Sequence, residues 1–234
     1  MTRTHLEEFT ETLETRAARY GVELTAAAVA RLGDYYEHLL KWNARLHLVA
    51  PCAPAEFAAR HVLESLTACA HMPEGARACD VGSGGGLPII PCLITRTDLS
   101  AVLIEASMKK AVFLRESLSR LGLLERAQVI AQRFEQTGAP ECAFVTCRAL
   151  ENFTAMYARL VEWSPPASRL LLFGGRSLEG LISEDQNLRG YVAVRMPDSE
   201  QRFLFVCETS TERIESPGGA TDSSPVREHG DQVR

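Results

Sequence analysis

Apolar positions along the chain change their period near residue 76. Before it they recur every three to four residues. Leu6, Phe9, Leu13 and Ala17 form one stripe closed by Gly21, and Val29, Leu32, Tyr36, Leu39 and Leu40 form a second behind Thr25, which is suited to cap a helix. A polar and aromatic stretch, Lys41 to Leu48, is expected to break the second helix, and a third is predicted over 55–70. The aromatic residues of these helices fall on the apolar stripes and read as core rather than as a platform for stacking bases. After residue 76, short apolar runs at 76–81, 101–105, 127–132, 143–147 and 170–173 alternate with helical patterns such as 109–121 and 152–163. That alternation predicts an α/β fold with a parallel sheet, and the runs at 191–196 and 203–207 read as a closing antiparallel pair. The expected organisation is an N-terminal helical leader (1–75) packed on the core, a sheet-bearing domain (76–210) and a disordered tail (211–234), the tail being nearly devoid of apolar residues.

Composition adds few constraints. The chain has 234 residues, 46% of them hydrophobic, with a formal net charge of −5, so any nucleic-acid contact must come from a local basic patch rather than a global field. Seven cysteines, odd in number and without a C-x-x-C pair, lie largely in apolar runs and read as buried thiols in a reducing compartment. Cys69-x-His71 lacks a second ligand pair, so no metal site is expected. With no run of 18 apolar residues and no secretory h-region, the expectation is a cytoplasmic protein with no membrane partner.

The chemistry concentrates in Ala78-Cys79-Asp80-Val81-Gly82-Ser83-Gly84-Gly85-Gly86-Leu87-Pro88, a strand running through glycines into a helix. Pro88 and Pro91 fit only the first turn of that helix, whose free N–H groups and dipole suit a carboxylate or phosphate. The dinucleotide pattern G-x-G-x-x-G fails, because position six is Leu87 counted from Gly82 and Ile89 counted from Gly84. The phosphate loop fails because Gly-Lys occurs nowhere. Asp80, Gly82, Gly84 and Gly86 instead write D-x-G-x-G-x-G, which resembles the first motif of Rossmann-like methyltransferases that use S-adenosylmethionine. A bare strand–helix turn would carry the same glycines, but the next strand ends at Glu105, where a ribose diol needs an acid. On that sheet edge Phe134 and Glu135 follow strand three, and Arg148 follows strand four. His61, by itself, reads as structural.

Two other chemistries bear on strand four. A thiolate at Cys147, after Thr146, would suit attack on carbon-6 of a pyrimidine, but the second Pro-Cys such enzymes need falls at Pro91-Cys92, inside the cofactor helix. The [ND]-P-P-[YFW] turn of amino-directed adenine methyltransferases is replaced by Thr-Cys-Arg-Ala-Leu.

Taken jointly, the motifs resemble the bacterial 16S rRNA guanine-N7 methyltransferase family (RsmG/GidB type), a class I fold, over residues 35–175. W-N-x-x-x-N-L matches Trp42, Asn43 and Leu48 with His47 for the second Asn. R-H-x-x-D-S matches Arg60, His61 and Ser65 with Glu64 for Asp. The glycine motif matches from Asp80 to Pro91 except at Ile89, and S-R-A matches Arg148-Ala149 with Cys147 for Ser. The resemblance implies S-adenosyl-L-methionine as cofactor, 16S rRNA or the small ribosomal subunit as partner, and cofactor contacts at Gly82, Leu87, Phe134, Glu135 and Arg148. Asp80, Gly84 and Glu105 join them from the fold argument, and Arg148 is the candidate catalytic residue. Lys41, Arg45, Arg60, Lys109 and Lys110 are candidates for the phosphate path. The family's lysine at the end of strand five is missing, since Phe173-Gly174-Gly175 stands there. That departure keeps open a cofactor-binding ribosome-assembly factor, or a methyltransferase with another acceptor.

Overall fold

The computed structural model describes residues 3–148 and 153–211, and the expected tail lies outside them from residue 212. Helix α1 (His5–Arg16) opens with a reciprocal cap, in which Thr4 Oγ1 accepts from Glu7 N and the Glu7 carboxylate accepts from Thr4 N. A 3₁₀ turn (Ala17–Tyr20) then ends at Gly21, whose φ of 67° is the left-handed value for which glycine is suited. Helix α2 (Ala26–Leu46) starts at Thr25, which accepts from Ala28 N at 3.1 Å. It does not break at Lys41. It continues to Leu46 and stops at His47, the C-cap, at φ 49° and ψ 52°. The reason is packing: Trp42 and Leu46 still reach the core, so the apolar stripe runs one turn further than the charges around it suggest.

A third helical run, α3, covers Pro54–Glu56, a π-helical Phe57–Leu63, Glu64–Leu66 and a final 3₁₀ turn Thr67–His71. It carries Arg60, His61 and Glu64. Phe9 and Tyr36 stack at 4.4 Å, with Phe57 tilted against both, so the aromatic residues of the leader do form core.

The sheet has seven strands in the order β3-β2-β1-β4-β5-β7-β6. β1 (Arg77–Val81), β2 (Ser100–Ile104), β3 (Ala127–Ile130), β4 (Phe144–Arg148) and β5 (Arg169–Gly174) are parallel. β7 (Phe203–Thr209) runs antiparallel to both β5 and β6 (Leu188–Arg195), the expected closing pair. Helices α4 (Ile89–Thr95), α5 (Met108–Arg120) and α6 (Phe153–Trp163) follow β1, β2 and β4. Helix α7 (Arg176–Glu184), after β5, was not anticipated, because its Gly-rich entry and mixed polarity hide a short apolar face of Leu178 and Ile182.

The two faces of the sheet are buried differently. Ala78, Leu103, Phe144, Leu171 and Leu204 face the leader, α4 and α5 in one core. Cys79, Val81, Val145, Cys147 and Leu172 face α6 and α7 in the other. Period-two alternation along β4 therefore sends Phe144, Thr146 and Arg148 to the leader side and Cys147 to the opposite side. The order reverses at β1, between β2 and β4, and ligands of open α/β sheets bind at such a switch, beyond the strand ends.

Candidate active site

A cavity of about 640 Å³ opens beyond the ends of β1, β2 and β4. Its floor is the glycine turn: Gly82, Ser83, Gly84, Gly85 and Leu87 all line it. Gly82, Gly84 and Gly86 have φ of 70°, 52° and 84°, and a Cβ on Gly86 would lie 2.3 Å from Ile90 Cδ1. Several amides of the turn are already engaged within the fold. Gly82 N and Ser83 N both donate to Ile104 O, Gly86 N donates to Ser83 O, and Gly84 N donates to Glu105 Oε2 at 2.8 Å. The turn is a glycine-rich wall fastened to β2.

Glu105 is the hub of that wall. Its two carboxylate oxygens accept from Gly84 N and Ser107 N, at 2.8 and 2.7 Å, and it is 7% exposed yet lines the cavity. Each oxygen keeps a second lone pair, so a diol can still be accepted there. Opposite stand Phe134, braced edge-on by Trp163 at 5.6 Å, and Glu135. Lys110 and Met156 also line the cavity, and Met156 carried no motif that would have singled it out.

Asp80 does not line it. The side chain is fully buried beneath the turn, where Oδ1 accepts from Thr146 Oγ1 at 2.6 Å and Oδ2 has no partner among the described residues. Burial pushes its carboxyl up to about 7. Asp80 therefore ties β1 to β4 beneath the turn.

The leader supplies the remaining wall. Tyr35, fully buried on α2, donates its hydroxyl to Gly85 O at 2.5 Å. Asn43 clamps the turn that follows α2: its Nδ2 donates to Val49 O and its Oδ1 accepts from Val49 N. His47, Leu48, Val49 and Ala50, on that clamped turn, line the cavity. Sequence reasoning recognised Trp42 and Asn43 only through a resemblance; Asn43 fixes this turn, and Trp42 packs against His38 and Phe113.

Arg148 stands where the cavity meets a second one of about 420 Å³, and with His61 it lines both. It is not in a surface salt bridge. Its Nη2 donates to Glu64 Oε2 at 3.0 Å and to Arg60 O at 2.6 Å, Nη1 reaches Ser65 Oγ at 3.5 Å, and the guanidinium lies 5.1 Å from the centre of the Phe173 ring. Glu64, 1% exposed, gives its other oxygen to Arg202 Nε at 2.8 Å. Burial and the neighbouring Arg148 push the His61 imidazole down to about 3, so it is neutral and a weak base near pH 7.

Cys147 is fully buried on the other side of the sheet and lines neither cavity, which removes the geometric basis for thiolate attack. Of the proposed phosphate contacts, Lys110 lines the first cavity and Arg60 the second; Lys41, Arg45 and Lys109 are exposed and line neither. Among the described residues, no cluster of His, Cys, Asp or Glu could hold a metal ion, and no helix is long and apolar enough to cross a membrane.

Comparison with known proteins agrees with this geometry. Residues 28–193 match the family model described as rRNA small subunit methyltransferase G. The ribosomal RNA small subunit methyltransferase G of Sorangium cellulosum is 40% identical over 203 residues, 84% of this chain and 81% of the relative. An O-methyltransferase from Bacillus cereus in complex with SAH shares the fold with a TM-score of 0.56 at 17% identity, covering 87% of this chain and all of that one. An RNA methyltransferase from Salinibacter ruber in complex with S-adenosyl-L-homocysteine does so with a TM-score of 0.50 at 18% identity, covering 73% and 100%.

Proposed function

Because the chain belongs to the rRNA small subunit methyltransferase G family, we propose that it transfers a methyl group from S-adenosylmethionine to N7 of a guanine in 16S rRNA. The enzyme is an S-adenosylmethionine-dependent rRNA methyltransferase. The observation that carries the assignment of its site is the 640 Å³ cavity at the switch point, with Glu105 on one wall and bare glycine backbone on another. Those groups fit the cofactor: Glu105 would accept from its ribose hydroxyls, Phe134 and Glu135 would flank its base, and the glycine turn would hold its amino-acid end. Bound there, the cofactor supplies a methyl carbon made electrophilic by a sulfonium.

Everything else falls on the chain. Guanine N7 carries a lone pair outside the Watson–Crick edge, so no proton has to be removed and no general base is required. His61, held neutral with a much weakened basicity, agrees with that. The work is alignment and exclusion of water, which the clamped turn after α2 and the buried Arg148–Glu64 pair serve by being rigid. The target base must be unstacked or already in a loop to enter. The missing strand-five lysine does not leave the neighbouring cavity without cations, because Arg60, Arg148 and Arg202 all line it. A Cβ at Gly174 would sit 2.6 Å from Leu178 Cδ2, so α7 now fills the space beside that position. This favours an active enzyme over a cofactor-binding assembly factor. With ribosomal RNA as substrate, the reaction takes place in the cytoplasm.

The test is calorimetric titration with S-adenosylmethionine, then transfer of labelled methyl to small ribosomal subunits lacking the modification, with nucleoside analysis. Label in 7-methylguanosine is expected. Label in a 5-methylpyrimidine, or none, overturns the reading.

A further inference from the structure

We propose that the second cavity receives the target guanine and that the Arg148–Glu64 pair reads its O6 and N1–H. This deepens the functional reading above and rests on it. The cavity adjoins the cofactor cavity across the shared wall of His61 and Arg148, so a base seated there presents one edge towards the site of transfer. Its volume of about 420 Å³ is within the usual range of about 300–1,000 Å³ for a small-molecule site. Phe173, Leu178, Leu181 and Phe203 give it apolar walls suited to an aromatic ring, and Arg148 and Arg202, both hydrogen-bonded to Glu64, form a polar side.

That polar side has a defined hydrogen-bond pattern. Glu64, which lines the cavity, is acceptor-only when ionised, and it lies between two guanidinium groups, Arg148 at 3.0 Å and Arg202 at 2.8 Å. A donor beside an acceptor is the complement of guanine O6 beside N1–H. Adenine presents the reverse, N6–H₂ beside an unprotonated N1, and would set donor against donor and lone pair against lone pair. The arginines retain the capacity for this contact. Among the described residues Arg148 Nε has no acceptor, and both terminal nitrogens of Arg202 are without one. In guanine N7 neighbours O6, so a base whose O6 meets Arg148 on the shared wall brings N7 towards the cofactor side. Two cations on one carboxylate also leave a net positive charge beside the electron-rich O6 and make Glu64 a specificity-determining residue rather than a catalytic one.

The experiment compares methyl transfer to small subunits carrying either the native guanine or an adenine at the methylated position, using wild type, Glu64→Gln, Glu64→Asp and Leu181→Trp. Glu64→Gln puts a donor next to N1 and is expected to lower the guanine-over-adenine ratio of kcat/KM by roughly tenfold or more, the usual scale for one good base contact. Cofactor affinity by calorimetry should stay within twofold. Glu64→Asp, which keeps the carboxylate, should retain the ratio, which a merely structural loss of the ion pair would not predict. Leu181→Trp fills the cavity from a half-buried position on α7 and should raise KM for subunits at least tenfold with cofactor affinity unchanged, and it decides the matter if Glu64→Gln does not fold. An active wild type with an unaltered ratio in Glu64→Gln and unaltered KM in Leu181→Trp overturns this assignment alone. A wild type that methylates no guanine in subunits overturns the functional reading and this assignment together.

Discussion

The two adjoining cavities are built in opposite ways. The floor of the first is a contiguous segment, residues 82–87, whose shape follows from glycines at left-handed φ and from one nearby carboxylate, Glu105. The second draws on more of the chain: α3 gives it Arg60, His61 and Glu64, β4 gives Arg148, the end of β5 and α7 give Phe173, Gly174, Gly175, Leu178 and Leu181, and Arg202 and Phe203 come from the entry of β7. Backbone conformation makes one, and buried charge pairing between distant parts of the chain makes the other. A site of the first kind tolerates changes of neighbouring side chains but not of its glycines. A site of the second kind should fail one charge at a time.

Substitutions can drive the two apart. The largest effect is expected from Gly84→Asp. It places a β-carbon at φ 52° and a carboxylate next to Glu105, whose Oε2 takes the Gly84 amide, so cofactor binding should fall below detection in calorimetry while the far-ultraviolet circular dichroism persists. Retained affinity would mean the turn is not the cofactor's floor.

Arg148→Ala should damage both cavities, since Arg148 lines both and its loss leaves Glu64 with only Arg202. A charge-assisted contact is worth about 1.5–3 kcal/mol, so methyl transfer should drop roughly tenfold or more. Cys147→Ser, one residue away but on the far face of the sheet, should keep most of the wild-type rate at a modest loss of stability. An enzyme killed by the serine and spared by the alanine would reverse the roles assigned here.

The pH dependence of stability separates His61, on the wall the two cavities share, from Asp80, buried beneath the glycine turn. His61 is depressed to about 3 from an ordinary 6.5, so the unfolded chain binds its proton first and stability is lost as pH falls from about 6.5 towards 3. Asp80 is raised to about 7 from 3.8, so the folded chain binds its proton first and stability is lost as pH rises from about 4 to 7. Asp80→Asn should therefore melt progressively higher than wild type as pH goes from 4 to 7, with the difference levelling off above. Parallel melting curves across that range would show that the buried carboxylate is not strained by its charge.

The smallest effect is expected at His47, the left-handed C-cap of α2. Asparagine adopts that conformation more readily, so His47→Asn should stabilise the fold by about 0.5–1 kcal/mol. A loss of cofactor affinity instead would show that the imidazole itself is used.

How much of this was legible depends on how local each cause is. The alternation of strands and helices, the glycine turn and the acid at Glu105 follow from short-range pattern. Thr25 announced the start of α2, but its end did not show, because Trp42 and Leu46 are kept helical by a core that only the folded chain contains. Asp80 was expected among the ligand contacts by its place in a motif, and no motif states depth below a surface. Arg148 was placed at the site by its strand-end position, whereas Arg202 was invisible, since an arginine at the entry of a late strand resembles any solvated charge until its partner Glu64 is known. Cys147 misled in the same way: the residue type suited a chemistry, and only the alternation of β4 shows that it faces elsewhere.

The ion pair between Glu64 and Arg202 joins residues 138 positions apart in the chain. A polypeptide leaving the ribosome from its N-terminus can form the leader, and then β1 to β5, before Arg202 has been synthesised. Through that interval Glu64 has only Arg148 to share its charge, and the wall between α3 and β7 is open. The wall of the second cavity that Arg202 and Phe203 supply is therefore complete only once β7 has paired with β5, the last step in assembling the sheet from its N-terminal side.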